Sequence, residues 1–138
     1  MDKTIEIPFK DISGIVRLAF PGATSRRTVK IRKQKSYHVH DYWDGGSREY
    51  AVFLNLRTKQ VIPAPAVSAL REGHVYNLAY GEVELSGECC VVVNTIFCGK
   101  DLGYFIYVPE EVQVEGSALL LPPKSNVPLL PEKKEESL

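Results

Sequence analysis

The chain has 138 residues, with 17 Lys and Arg balancing 17 Asp and Glu, 44% hydrophobic residues and three cysteines. That length suffices for one core-bearing domain without a disulfide or metal, and the composition is far from disordered or collagen-like classes. The longest apolar runs, Cys89-Cys90-Val91-Val92-Val93 and residues 118–123, are too short to span a bilayer, so no membrane association is expected. The opening Met-Asp-Lys-Thr-Ile-Glu leads from no basic stretch into an apolar one, and three cysteines, two of them adjacent, make no disulfide framework. A reduced intracellular protein, cytoplasmic or nuclear, is the expectation.

In chain order, a period of two recurs. Thr4 to Phe9 predicts a short strand, and Gly14 to Phe20 a second, closed by the turn signal Pro21-Gly22. Thr28-Val29-Lys30-Ile31-Arg32 alternates, and Tyr37-His38-Val39-His40 continues in phase, with Lys33 and Lys35 pointing to a bulge or bend near Gln34. Asp44-Gly45-Gly46-Ser47 is a loop. Tyr50 to Leu56 alternates again, turns at Thr58-Lys59 and leads into residues 60–63. Residues 66–72 read as the one helix, with Gly73 as its stop. Strands follow at Val75 to Leu85, Glu88 to Phe97 and Tyr104 to Val108. From residue 122 the chain turns to Pro, Ser, Lys and Glu. A domain over 1–121, with its core at about 27–97, and a disordered tail over 122–138 are therefore expected.

The net neutrality conceals a polarity. Residues 12–40 hold seven cations and no acid, whereas residues 66–115 hold two cations against eight carboxylates. Such asymmetry creates a strong local field, serving either basic-to-acidic strand pairing or an anion-binding face.

The order of long bent strand, Gly-rich loop, strand hairpin, one short helix and two strands predicts an all-β, OB-fold-like five-stranded barrel with one short helix and extra flanking strands. Residues 27–97 resemble the OB-fold single-stranded-DNA-binding domains of the replication protein A and archaeal single-stranded-DNA-binding protein type. Thr28 to Arg32 with Ser36 to Trp43 looks like that family's first strand and loop, Tyr50 to Arg57 like its second strand, and Leu70 to Leu78 like the end of the barrel helix and the start of the fourth strand. Arg57-Thr58-Lys59-Gln60 stands where the family often has an Asp-x-Ser/Thr-Gly turn, and the closing strand Cys89 to Asn94 lacks a stacking aromatic. The resemblance implies non-catalytic binding of single-stranded DNA, with RNA as the near alternative, and a role in DNA replication or repair.

Binding a single strand needs cations along the backbone and aromatic platforms for bases. Arg26, Arg27, Lys30, Arg32, Lys33 and Lys35 supply the charge, and His38 and His40 can stack or hydrogen-bond a base. If Tyr50, Val52, Leu54 and Leu56 face a core, then Phe53, Asn55 and Arg57 face outward for stacking, base-edge bonding and phosphate contact. Trp43 sits beside the Gly45-Gly46 loop as a second stacker or a rim core residue. Two other classes stay open. His38 and His40, at i and i+2 on a strand, resemble a cupin metal motif, although His74 does not keep the spacing of a third ligand. Alternatively, the barrel is a protein-interaction module whose partner reads Pro128-Leu129-Leu130-Pro131 in the tail, and a homo-oligomer is compatible with either role. No phosphate loop, nucleophile elbow or Cys-x-x-Cys pair is present, so no cofactor or catalysis is expected.

Overall fold

A strand and a helix open the chain in the computed structural model, which describes residues 3–24, 27–39, 46–65, 70–79 and 81–110. Strand β1 (Lys3–Pro8) matches its expectation, but residues 14–20 belong to helix α1 (Phe9–Ala19) instead of a second strand. Both periods can be read in this stretch. Phe9, Ile12, Ile15, Val16 and Ala19 form a helical stripe, and all five are buried, so packing overrides the β-branched residues and Gly14. The helix ends where the Phe20 N–H donates to the Val16 carbonyl at 2.7 Å, just before Pro21.

The rest of the described chain is β. The strands are β2 (Thr28–Lys33), β3 (Ser36–Tyr37), β4 (Ser47–Asn55), β5 (Val61–Pro63), β6 (Leu70–Arg71), β7 (Val75–Leu78), β8 (Gly81–Glu84), β9 (Cys89–Phe97) and β10 (Lys100–Val108). Six of them form one sheet in the order β1-β2-β10-β9-β4-β5, in which only the β2–β10 pair is parallel. The sheet ends at β1 and β5, and the described residues form no closed barrel where a five-stranded one is expected. The expected helix over 66–72 is corrected at its end, because Leu70 and Arg71 are strand residues paired with Tyr37 and Ser36. Residues 66–69 lie outside the described residues, as do the expected tail and its boundary.

Each face of the sheet carries its own core. Beneath α1, Val29, Ile31, Leu54, Cys90, Val92 and Ile106 pack against the helix stripe. On the opposite face the β3–β6 and β7–β8 pairs cover Phe53, Cys89, Val91, Val93 and Tyr107. The long first strand does not keep one face through residue 39. It breaks at Gln34, whose N–H donates to the Val108 carbonyl at 3.0 Å, so that Val29 and Ile31 enter the helix-side core while Tyr37 enters the other. The bend near Gln34 is where the alternation predicts it. At the β9–β10 hairpin, Cys98 (φ 49°) and Gly99 (φ 78°) are both left-handed, the two-residue geometry that suits strand twist.

Candidate nucleic-acid interface

Among the described residues, the second β layer buries Phe53 and Val91 fully but leaves Phe105 half-buried, and the side chains around Phe105 are basic and aromatic. Lys30 and Arg32 alternate with the buried Val29 and Ile31, so both leave the helix side. Parallel pairing sets Phe105 beside Lys30 and Tyr107 beside Arg32. The Lys30 ammonium lies 5.7 Å from the Phe105 ring centre and the Arg32 guanidinium 5.2 Å from it, both within cation–π range. Arg32 also stands 5.8 Å from the Tyr107 ring, and its Nη1 donates to the Tyr107 hydroxyl at 3.3 Å. Its Nε is buried with no hydrogen-bond partner among the described residues, which leaves one polar group of the clamped guanidinium unsatisfied. On the outer side, β1 sets Glu6 opposite Lys30 and Thr4 opposite Arg32.

A partly buried network reaches this surface from the covered side. The Tyr37 ring lies 4.0 Å from the Tyr107 ring, and the Tyr37 hydroxyl donates to Glu49 Oε1. Burial and the Glu49 carboxylate together hold the Tyr37 phenol far above its usual range, so it stays a protonated donor. Arg32 on β2, Tyr107 on β10, Tyr37 on β3 and Glu49 on β4 thus form one chain of contacts across three strands of the sheet and the layer above it.

The other expected site residues disperse. Phe53 is corrected outright: its relative exposure is 0%, and it packs 5.8 Å from the Tyr76 ring of β7. It does point away from Leu54, as the alternation requires, but that face is covered too. Asn55 is committed to the β4–β5 turn, where its Oδ1 accepts from the Arg57 and Thr58 N–H groups at 2.9 Å each. Arg57 sits at that same corner, exposed and 3.3 Å from Glu88, far along the sheet from Lys30. Lys33 alternates onto the helix side at the end of β2, and Arg27 is exposed just before that strand begins. Lys35 and His38 flank β3 and line a groove with Arg71. Arg26, His40 and Trp43 lie outside the described residues.

Phe105, Tyr107 and Arg71 escape the sequence reading. The alternation of Tyr104-Phe105-Ile106-Tyr107 does show two aromatics sharing a face, but nothing local says that this strand lies beside the basic one. At the opposite corner, Glu82, Glu84 and Glu88 line a cleft of about 170 Å³ beside Phe53 and Ile62. The field on this face therefore runs from basic at β2 to acidic at β8. The two buried thiols take no part: burial pushes Cys89 up to about 12 and Cys90 higher still. Among the described residues, no three His, Cys, Asp or Glu side chains are grouped to hold a metal, and no helix is long and apolar enough to cross a membrane.

Fold and surface define a class: a mostly-β domain with one helix on one sheet face and a half-covered, basic and aromatic opposite face. In comparisons with protein-family models, curated proteins and solved structures, the chain finds no match, so the functional reading rests on these residues alone.

Proposed function

We propose that the protein binds single-stranded nucleic acid, DNA in the first instance, on the uncovered half of the sheet and without catalysis. The observation that carries this reading is the stacking of Lys30 and Arg32 on the half-buried Phe105, at the edge of the second β layer. Cations that neutralise phosphates beside an aromatic that accepts a base are what a single strand requires. The mode is that of an OB-type binder, with bases on the strands and backbone along the cations, and it does not need a closed barrel. The acidic corner at Glu82, Glu84 and Glu88 disfavours a broad polyanion lying across the whole face, which supports a single strand over a duplex.

The test is a fluorescence-anisotropy titration with single-stranded DNA, single-stranded RNA and duplex of equal length, repeated over a range of salt. Three to five phosphate contacts give a log–log salt slope of roughly −2 to −3.5 for a single strand. The Lys30→Ala/Arg32→Ala variant should lose about 1.4 of that slope, two contacts' worth. Binding that ignores salt, or duplex bound more tightly than single strand, would sink the proposal.

A further inference from the structure

Past the end of β2 a second basic surface begins. Lys35, Ser36, His38, Arg71, Glu72 and Gly73 line an open groove of about 740 Å³. Its two sides are tied by backbone: Ser36 pairs with Arg71, and the Glu72 N–H donates to the Lys35 carbonyl at 2.7 Å. The groove is also tied to the platform, because Tyr37 between Lys35 and His38 stacks on Tyr107, which accepts from Arg32. Two carboxylates belong to the same surroundings. Glu72 is part of the wall, and Glu110 lies 3.6 Å from the Lys35 ammonium. The Lys35–Glu110 pair is exposed on both sides, so it is weak and yields readily to a polyanion.

We infer that this groove is a second phosphodiester subsite, which takes the same single strand onward from Arg32 and sets Lys35 and Arg71 against successive phosphates. The inference rests on the nucleic-acid reading of the Phe105 platform and extends it to an upper bound on the length of strand that reaches both subsites. From Lys30 to Ser36 the chain can span at most roughly 20 Å, at about 3.3 Å per residue. At about 3.4 Å per stacked nucleotide, that span corresponds to a strand of at most roughly six nucleotides. The direction of travel is set by charge. The groove carries the cations Lys35 and Arg71, whereas the alternative exit past Phe53 and Ile62 meets Glu82, Glu84 and Glu88.

The experiment measures the affinity of the full chain for fluorescein-labelled oligothymidylates from about two to about twelve nucleotides, bracketing common site sizes. Wild-type affinity should climb steeply up to a length of no more than about six nucleotides and then rise only slowly. Lys35→Ala/Arg71→Ala should match wild type on the shortest oligomers and fall about five- to tenfold behind on long ones. Its salt slope on long oligomers should be smaller by about 1.4. Lys35→Glu should give the same length-selective loss, and since Lys35 and Arg71 are exposed, each variant should melt as wild type does. A loss equal at all lengths, or no loss at any length, overturns the subsite while wild-type binding leaves the platform standing. A wild-type chain that binds no oligomer of any length overturns both.

Discussion

Phe53 and Phe105 stand on one face of one sheet, two strands apart in the order β10-β9-β4, yet they meet opposite environments. Phe53 lies under β7, between Val91 and Ile62, with nothing left exposed. Phe105 has Val93 beside it on one neighbouring strand and Lys30 on the other, with the Lys30 and Arg32 cations against its ring. The same residue type on the same face is core in one place and a cation-decorated surface in the other. What differs among the described residues is cover: Tyr76 of β7 packs on the fully buried Phe53, whereas Phe105 is only partly buried at the margin of the same cluster. A half-covered face can keep an aromatic anchored by its neighbours and still leave part of its ring open to a base.

The largest expected effect breaks the covered half. Phe53→Ala should cost about 3–5 kcal/mol of folding stability, through lost burial and the cavity left behind. For a domain of this size that lowers the melting temperature by roughly ten degrees or more, while affinity measured at low temperature survives. A variant that melts normally but binds poorly would reverse the assignment and make Phe53 the platform.

The matching change on the open half should move the other quantity. Phe105→Ala removes a stacking surface that contributes about 1–3 kcal/mol per base, so single-strand binding should weaken roughly fivefold to a hundredfold. Its melting temperature should fall less than that of Phe53→Ala, because Phe105 is only partly buried. Equal affinity in wild type and variant would leave the cations without a partner platform.

A smaller effect, spread over pH, reports on the covered half and the helix side together. Tyr37, Cys89 and Cys90 all hold their protons in the fold more tightly than in the unfolded chain. Their contribution is therefore fully present below the unfolded values of 9 to 10 and is lost as pH rises toward the folded ones. Each group can add a slope of at most about 1.4 kcal/mol per pH unit. Lys59 opposes them weakly: burial lowers its value, so a penalty present when it is charged in both states is relieved as pH rises toward the unfolded value. Denaturant unfolding between about pH 8 and pH 11 should show net loss of stability, flatter in Cys90→Ala. Stability that holds level to pH 11 would mean these groups are not buried as neutral species.

Particular residues show how far the sequence carries. The period of two over Tyr50 to Leu56 separates Val52 and Leu54 from Ala51 and Phe53, and that separation holds. The bend at Gln34 is legible because Lys33 and Lys35 interrupt the alternation, and the turns at Pro21-Gly22 and Thr58-Lys59 are legible because turn chemistry acts within a few residues. The basic run that includes Lys30, Arg32 and Lys35 is visible in the sequence, and three of its cations flank the candidate surface. Other features depend on contacts between segments far apart in the chain. Ile12, Ile15 and Val16 become helix because a sheet face is there to receive their stripe, and Leu70–Arg71 becomes strand because Ser36–Tyr37 is there to pair with it. The pairing of β2 with β10 brings Phe105 to Lys30 across 75 residues of sequence. Alternation marks two faces of a strand but not which of them another layer will cover. That is decided by long-range packing, where burial of apolar area outweighs local preference, and so the sequence by itself determined the alternation of most of the sheet strands and the charge, while only the tertiary structure decided that residues 9–19 are helix, that Leu70–Arg71 is strand, and that Phe53 is core while Phe105 is half-buried.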